Sequence, residues 1–562
     1  MRMVSRTEAL KQLTAPGEPF ELTEATYWGR RSRVFANAPP TLRDIFEASR
    51  SDKPFVVYDN ERLTYEEVWT RACQLATYLV EQAGVKHGDC VAISMRNYPE
   101  WMIAFCAATS IGAIAVALNA MWQPGEMEFA LKDCAPKALI VDGERLQRYR
   151  QCTGAPDVPV LACRVQADAG PGVVLLEDIF SEPAVTTMPS AGAAPDDDAI
   201  ILYTSGSTGN PKGAASSHRN IISALLSWEL DAQAGVLTGL IPAPSPDDKP
   251  AMMLAVPLFH VTGLHTGFLQ SFRAQRRLVC MYRWDVERAL ELIEAEQVTA
   301  FVGTPAITGD LVEAAAKSTR DTSSLRLVGG GGSARAPKQV RDIDARFANA
   351  KPGTGWGMTE TNAIGVGIAG QDYLDHPESS GRASAVLDLR FVGPDGREVP
   401  PGERGELQVR GASIFHGYLN RPDANALTFD GEWMKTGDVA YMDADGFVYI
   451  VDRIKDLVIR GGENIGCGGV EAALLEHPDV IEACVYGVPD ERLGEEVAAT
   501  VFSTVPVDDA ELRTFLAARI ARFAIPRYFH HSREPLPRTA TGKIFKRELR
   551  AQATERLARS AQ

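Results

Sequence analysis

The chain has 562 residues, 45% of them apolar and 23% charged, a balance that excludes a disordered protein and requires more than one core. A formal charge of −15 argues against a nucleic-acid binder and against a protein held to anionic lipid by its overall charge. The nine cysteines include no Cys-x-x-Cys pair and make no disulfide framework, so reduced thiols and a cytoplasmic compartment are expected.

Met1–Gln12 is charged and lacks the apolar run of a signal peptide, and Arg559–Gln562 is not a peroxisomal address. Residues 1–50 read as a polar lead-in with one short amphipathic segment, Leu42–Ala48. Thr64 and Glu67 form a capping box. The helix it opens carries Tyr65, Val68, Trp69, Ala72, Leu75, Ala76 and Leu79 on one face. A strand at Cys90–Met95, a helix at Pro99–Ser110, a strand at Ala113–Leu118, a helix at Pro124–Cys134 and a strand at Ala138–Val141 follow. That alternation predicts an α/β fold with a largely parallel sheet. Trp101–Gly125 carries no charge and is long enough to span a bilayer, but Gly112, Asn119, Gln123 and Pro124 interrupt it. It reads as a buried helix running into a buried strand. Residues 150–198 read as a variable loop and linker, and Asp231–Pro250 as an exposed insertion.

An apolar strand, Ala199–Tyr203, leads into Tyr203-Thr-Ser-Gly-Ser-Thr-Gly-Asn-Pro-Lys-Gly213. Glycines let the backbone N–H groups turn toward an anion, hydroxyls add donors and Lys212 adds a mobile charge. Pro211 stands five residues after Gly206, so this is not a Walker loop. The stretch resembles the signature loop of the acyl-adenylate-forming superfamily, which comprises acyl-CoA synthetases, peptide-synthetase adenylation domains and luciferases. The resemblance runs from about Tyr65 to Arg550. It implies ATP held by Thr204, Ser205, Gly206, Ser207, Thr208, Gly209 and Lys212. Thr204 and Lys212 would serve catalysis, and Thr204 would also reach the metal.

Pro257–Gly263 follows the apolar run Met252–Val256. A histidine there reads as structural on its own; the resemblance places His260, Val261 and Gly263 against the acyl substrate. Gly303, Gly329, Gly330 and Gly357 would line the same pocket. Gly329–Gly332, after a strand at Leu325–Val328, offers a wall without side chains against which a planar ring can lie. The resemblance assigns Gly330, Gly331, Gly332 and Ser333 to the nucleotide. Gly355, Trp356, Gly357, Met358 and Thr359 match the family's second nucleotide motif, and Glu360 would hold Mg²⁺. Gly365–Gly370 matches the dinucleotide pattern by letter but is rejected, because no clean strand precedes it and no amphipathic helix opens after it.

From Asp388 short runs between Pro-Asp-Gly and Asp-Ala-Asp-Gly turns predict antiparallel strands, a small barrel-like subdomain. In Trp433–Asp438 the carboxylate of Asp438, at a strand end, suits ribose hydroxyls. Asp452–Asp456 resembles the family hinge, with Arg453 on the ribose and Lys455 as pivot. Gly461, Gly462 and Glu463 resemble the stretch that approaches the pantetheine of CoA. Gly466-Cys-Gly-Gly469 departs from the family's bulkier run, and its glycines lower helix propensity. A helix at Val470–Glu476, strands at Val480–Val488 and Glu496–Ser503 and a helix at Asp508–Ala521 indicate a separate α+β domain. Pro537–Lys543 completes the resemblance; its lysine would meet the carboxylate and the α-phosphate.

The sequence therefore predicts a large α/β N-terminal domain, residues 1–452, made of α/β subdomains and the β subdomain, and a mobile α+β C-terminal domain, residues 453–562. The resemblance implies an acyl-CoA synthetase using ATP, Mg²⁺ and coenzyme A. A fatty acid is the first choice of substrate and an aryl or alicyclic acid the second. Transfer to another acceptor, such as a carrier protein, is the alternative; the chain's end soon after Lys543 favours CoA. A homodimer is left open.

Overall fold

The computed structural model describes residues 4–166, 168–204, 211–243, 245, 248–461, 463–503, 505–539 and 542–560. Two large, mostly parallel sheets form the N-terminal domain. The first has eight strands in the order Gly417–Tyr418, Lys212–Ser217, Asp198–Thr204, Ile114–Ala117, Cys90–Ser94, Ala138–Asp142, Val160–Cys163 and Val173–Leu175. The second has nine, in the order Arg382–Ala383, Val366–Ala369, Lys351–Trp356, Leu327–Gly330, Ala300–Gly303, Ala251–Leu254, Arg277–Cys280, Pro54–Tyr58 and Glu61–Thr64. Six consecutive strands of the second sheet, from Lys351–Trp356 to Pro54–Tyr58, run parallel.

The helices cover these sheets as their apolar patterns require. The Tyr65–Glu81 helix starts at the expected box: Thr64 accepts from the Glu67 N–H at 3.1 Å, and Glu67 accepts from the Thr64 N–H at 2.7 Å. The Pro99–Ser110 helix is buried at every position, which is why its sequence lacks an amphipathic stripe. Trp101 stacks on Phe105 at 5.7 Å inside the main core. Burial of each such side chain contributes roughly 1.5–3 kcal/mol. Among the described residues no helix is long and apolar enough to cross a membrane. All nine cysteines are free, seven of them buried.

Four expectations need correction. Residues 1–50 hold more than a lead-in: Leu22–Tyr27 and Arg30–Phe35 form an antiparallel hairpin whose polar pattern hid it. Residues 150–198 supply the last two strands at one end of the first sheet, Val160–Cys163 and Val173–Leu175, and a helix, Leu176–Ser181. The helix His218–Leu237 runs through the start of the supposed insertion, and its Asp231 pairs with Arg6 at 2.7 Å. The strand placed at Leu325–Val328 lies at Leu327–Gly330, so two of the four glycines belong to the sheet. The rejected dinucleotide pattern falls on a strand, Val366–Ala369, followed by the short helix Gly370–Asp375.

The β subdomain pairs Leu387–Val392, Gly405–Gly411 and Trp433–Met442 in order, with Val448–Arg453 and Phe429–Asp430 also on Trp433–Met442. It is antiparallel, as the turns predicted, and its pairing path does not close among the described residues. Among the described residues the smaller C-terminal domain has its own five-stranded sheet, three α-helices and a core built on Val470, Leu474, Val485, Val497 and Leu512. The glycine run does not prevent its first helix: Cys467–Leu475 is helical, and Asp452 accepts the Cys467 N–H at 2.6 Å.

One buried histidine couples this packing to pH. His218 opens its helix, and its Nδ1 accepts the N–H of Leu42 at 3.1 Å. Burial pushes its pKa down to about 4. The unfolded chain therefore binds a proton that the fold excludes, and stability present above pH 6.5 is lost as pH falls toward 4. Denaturant midpoints measured across that window should fall, and His218→Asn, which keeps an acceptor, should reduce the slope. An unchanged slope would refute this account.

Candidate active site

The parallel strands of the second sheet converge on one edge. Ala251–Leu254, Ala300–Gly303, Leu327–Gly330 and Lys351–Trp356 end there, and the residues that follow them are His260, Thr304, Gly331–Ser333 and Gly357–Glu360. Carboxyl ends of parallel strands are where open α/β sheets bind ligands. Gly303 and Gly330 are register partners, so their backbones lie side by side.

The glycines act in several ways. A Cβ on Gly330 would stand 2.1 Å from Nη2 of Arg335, so this glycine seats a buried guanidinium. A Cβ on Gly329 would meet Val302 at 2.9 Å. A Cβ on Gly263 would stand 2.2 Å from the carbonyl oxygen of Pro257, and one on Gly357 2.3 Å from that of Ala363. Those two glycines allow close backbone packing. Gly331 meets only the Gly355 oxygen, at 4.0 Å, and so leaves an open face.

The C-terminal domain reaches into this edge. Cε of Lys543 lies 3.1 Å from where a Cβ on Gly332 would be. Neighbouring Gly542, at φ +79°, leaves 3.2 Å between its missing Cβ and Oγ1 of Thr304. Burial lowers the Lys543 pKa and the charge of Arg453 lowers it further, while Asp438 opposes both. His260 is half-buried with an unpartnered Nε2. Desolvation and then the charge of Lys543 push its pKa down to about 3, so it is neutral. Its ring lies 4.7 Å from that of Phe259.

Asp438 sits within the strand Trp433–Met442, not at its end as expected. Its carboxylate accepts Trp356 Nε1–H at 2.7 Å and stands 3.4 Å from Nε of Arg453. Burial raises its pKa, with Arg453 and Trp356 pulling the other way. Strand register explains the meeting, for Asp438 pairs directly with Arg453. Lys455 is exposed two residues on, its pKa lowered first by desolvation and next by Arg453.

Thr204 and Lys212 are register partners on paired strands, and the Thr204 hydroxyl donates to the Lys212 carbonyl at 3.3 Å. Ser205, Gly206, Ser207, Thr208 and Gly209 lie outside the described residues, as does Gly462. Thr359 and Glu360 form a 3-10 turn; Glu360 is 6% exposed and accepts from the Tyr418 hydroxyl at 2.6 Å. Gly461 and Glu463 flank a hairpin turn that packs on Leu493 and Glu495 of the C-terminal domain. Among the described residues no hydrogen bond or ion pair joins that hairpin to the strand ends.

Sequence reasoning missed three residues. Tyr418 meets Glu360 across 58 positions. Arg335 is buried, its three guanidinium nitrogens without hydrogen-bond partners among the described residues. The buried Thr304 Oγ1 also lacks one. Only Arg335, a lone charge in Ser333–Pro337, left a local trace.

Comparison with known proteins agrees with this geometry. The chain matches the AMP-binding enzyme family over residues 45–419 and the AMP-binding enzyme C-terminal domain over residues 469–543. It is 32% identical to the long-chain-fatty-acid–CoA ligase FadD13 of Mycobacterium tuberculosis, over 93% of this chain and 98% of that one. It is 34% identical to a feruloyl-CoA synthase of Amycolatopsis, over 87% and 93%. The crystal structure of the anthranilate CoA ligase AuaEII with anthranoyl-AMP superposes with a TM-score of 0.83 at 26% identity, covering 92% of this chain and 98% of that one. This chain belongs to the AMP-binding enzyme family, within the acyl-adenylate-forming superfamily.

Asp438→Asn removes a buried charge facing Arg453 while keeping the shape. It should raise the KM for ATP by roughly ten-fold, a charge-assisted hydrogen bond being worth about 1.5–3 kcal/mol. Steady-state kinetics at fixed acid and CoA measure it; an unchanged KM would remove Asp438 from the nucleotide site.

Proposed function

We propose that this chain activates an apolar carboxylic acid with MgATP to acyl-AMP and transfers the acyl group to coenzyme A. It is an AMP-forming carboxylate–CoA ligase. The observation that carries the reading is Lys543, laid against Gly332 at the sheet edge that also gathers Trp356, Asp438 and Arg453.

The chemistry follows from charge. A substrate carboxylate must attack an α-phosphate, and both are anions. Lys543 supplies the cation between them, and its lowered pKa records the desolvation that strengthens its field. Asp438 accepts from the ribose hydroxyls while Arg453 and Trp356 hold it in place. Glu360 suits Mg²⁺: its Oε1 is taken by Tyr418, and among the described residues its Oε2 accepts no hydrogen bond. One carboxylate is enough, because Mg²⁺ bound with ATP takes most of its ligands from phosphates and water. When bound, Mg²⁺ spreads the phosphate charge and orients the triphosphate. Lys212 then faces the triphosphate from the Lys212–Ser217 strand. No side-chain nucleophile is needed, since the mixed anhydride is itself the activated acyl group.

The second step is thiol attack on the acyl carbon with release of AMP. The domain boundary falls at 452/453, and the C-terminal domain turns about Lys455 between the steps. The turn exchanges Lys543 for the hairpin at Gly461–Glu463. The reduced, mostly buried thiols fit a cytoplasmic enzyme.

The fatty-acid reading and the aryl-acid reading share this machinery. Neutral His260, beside Phe259 with Nε2 unpartnered, favours a ring-bearing acid with a polar substituent. A plain alkyl chain would leave that nitrogen unpaired. AMP release with MgATP across alkanoic, aryl and alicyclic acids, with and without CoA, decides the class. CoA-dependent AMP together with a thioester seen by mass spectrometry supports the ligase; pyrophosphate without thioester supports another acceptor. Lys543→Ala should slow adenylation by roughly 10²–10³-fold, as for loss of one oxyanion donor. It should largely spare thioester formation from preformed acyl-AMP, and equal loss of both half-reactions would remove this role.

A further inference from the structure

Glu360 lies in the 3-10 turn that follows the Lys351–Trp356 strand of the second sheet, Lys212 starts a strand of the first, and one residue joins them. Gly417–Tyr418 is an edge strand paired antiparallel with Lys212–Ser217, with Tyr418 opposite Ala214. Its place is fixed from several sides. The Leu419 N–H donates to the Gly213 carbonyl at 2.8 Å, and the His416 N–H to the Ala215 carbonyl at 2.9 Å. Asn425 closes a two-way bond with the Tyr418 backbone, accepting its N–H at 2.7 Å and donating to its carbonyl at 3.0 Å. Just upstream, the Phe415 N–H donates to the Glu360 carbonyl at 2.9 Å, and the Phe415 and Tyr418 rings meet edge to face at 4.9 Å.

From this anchored position the side chain touches two groups of the candidate site, Glu360 and Lys212. Its hydroxyl donates to Oε1 of Glu360 at 2.6 Å, a short charge-assisted bond. Its ring faces Nζ of Lys212 at 5.0 Å, within cation–π range. A carboxylate held by one oxygen has a single orientation for the other. A lysine held over a ring is likewise directed before a triphosphate arrives. The backbone bonds hold the segment without the hydroxyl, so the hydroxyl is free for this second task.

We infer that Tyr418 is a positioning residue, whose hydroxyl aims Glu360 at Mg²⁺ and whose ring aims Lys212 at the triphosphate, coupling metal and phosphate binding. The inference rests on the proposed role of Glu360.

ATP binding followed by calorimetry at a series of free Mg²⁺ concentrations tests it on the full chain without catalysis. Tyr418→Phe keeps the ring and loses the hydroxyl. It should raise the Mg²⁺ needed for half-maximal tightening about ten-fold and leave metal-free ATP affinity within about two-fold. Tyr418→Leu loses both contacts and should also weaken metal-free ATP several-fold. Glu360→Gln should reproduce the metal shift, and Tyr418→Phe added to it should shift nothing more. A wild-type Mg²⁺ requirement in Tyr418→Phe, or a full shift that persists in the Glu360→Gln background, would overturn the inference alone. A normal requirement in Glu360→Gln would overturn the metal role of Glu360 and the inference with it. Circular dichroism of Tyr418→Phe checks that the fold is kept, and a lost fold would make Tyr418 a structural residue and overturn the inference.

Discussion

Parallel pairing makes six strands of the nine-stranded sheet run the same way, and four of them end at the edge where the candidate groups meet. In a parallel sheet each connection must return over a face, so the strand ends are left for loops. His260, Gly331–Ser333 and Gly357–Glu360 occupy those ends although seventy residues of chain lie between the first and the second. Lys543 meets Gly332 only because this edge already exists for it to face.

Charge is then arranged in layers around the edge. Asp438 is buried against Arg453 and Trp356, and Glu360 is buried against Tyr418. Both oxygens of Asp438 are engaged, whereas Glu360 keeps Oε2 without a hydrogen bond among the described residues. Arg335 differs: it lies behind Gly330 with no carboxylate partner among the described residues and a pKa lowered by burial. An unpaired buried guanidinium costs stability, and the missing side chain at Gly330 is what admits it.

Local signals in the sequence were read well where one residue pair or one periodic face carried them. The Thr64–Glu67 box, the buried helix at Pro99–Ser110 and the helix at Pro124–Cys134 lie where the pattern placed them. The hairpin at 22–35 was missed because its strands mix polar and apolar residues without clean alternation, and Val160–Cys163 and Val173–Leu175 because they are only four and three residues long. Asp438 was placed at a strand end, but the strand continues through Gly437, at φ +71°, and on to Met442.

The sequence by itself determined the chemistry on offer: a hydroxyl- and glycine-rich stretch before Lys212, a Thr-Glu pair at Glu360, a carboxylate at Asp438 and a lysine at Lys543. Those are local, since residue type and spacing along a few positions carry them. Tertiary structure decided which groups face one another. It put the Tyr418 hydroxyl on Glu360, Arg335 behind Gly330 and Lys543 against Gly332. These meetings depend on strand register and domain docking, and a pairing across 58 or 211 positions leaves no periodic mark in the chain.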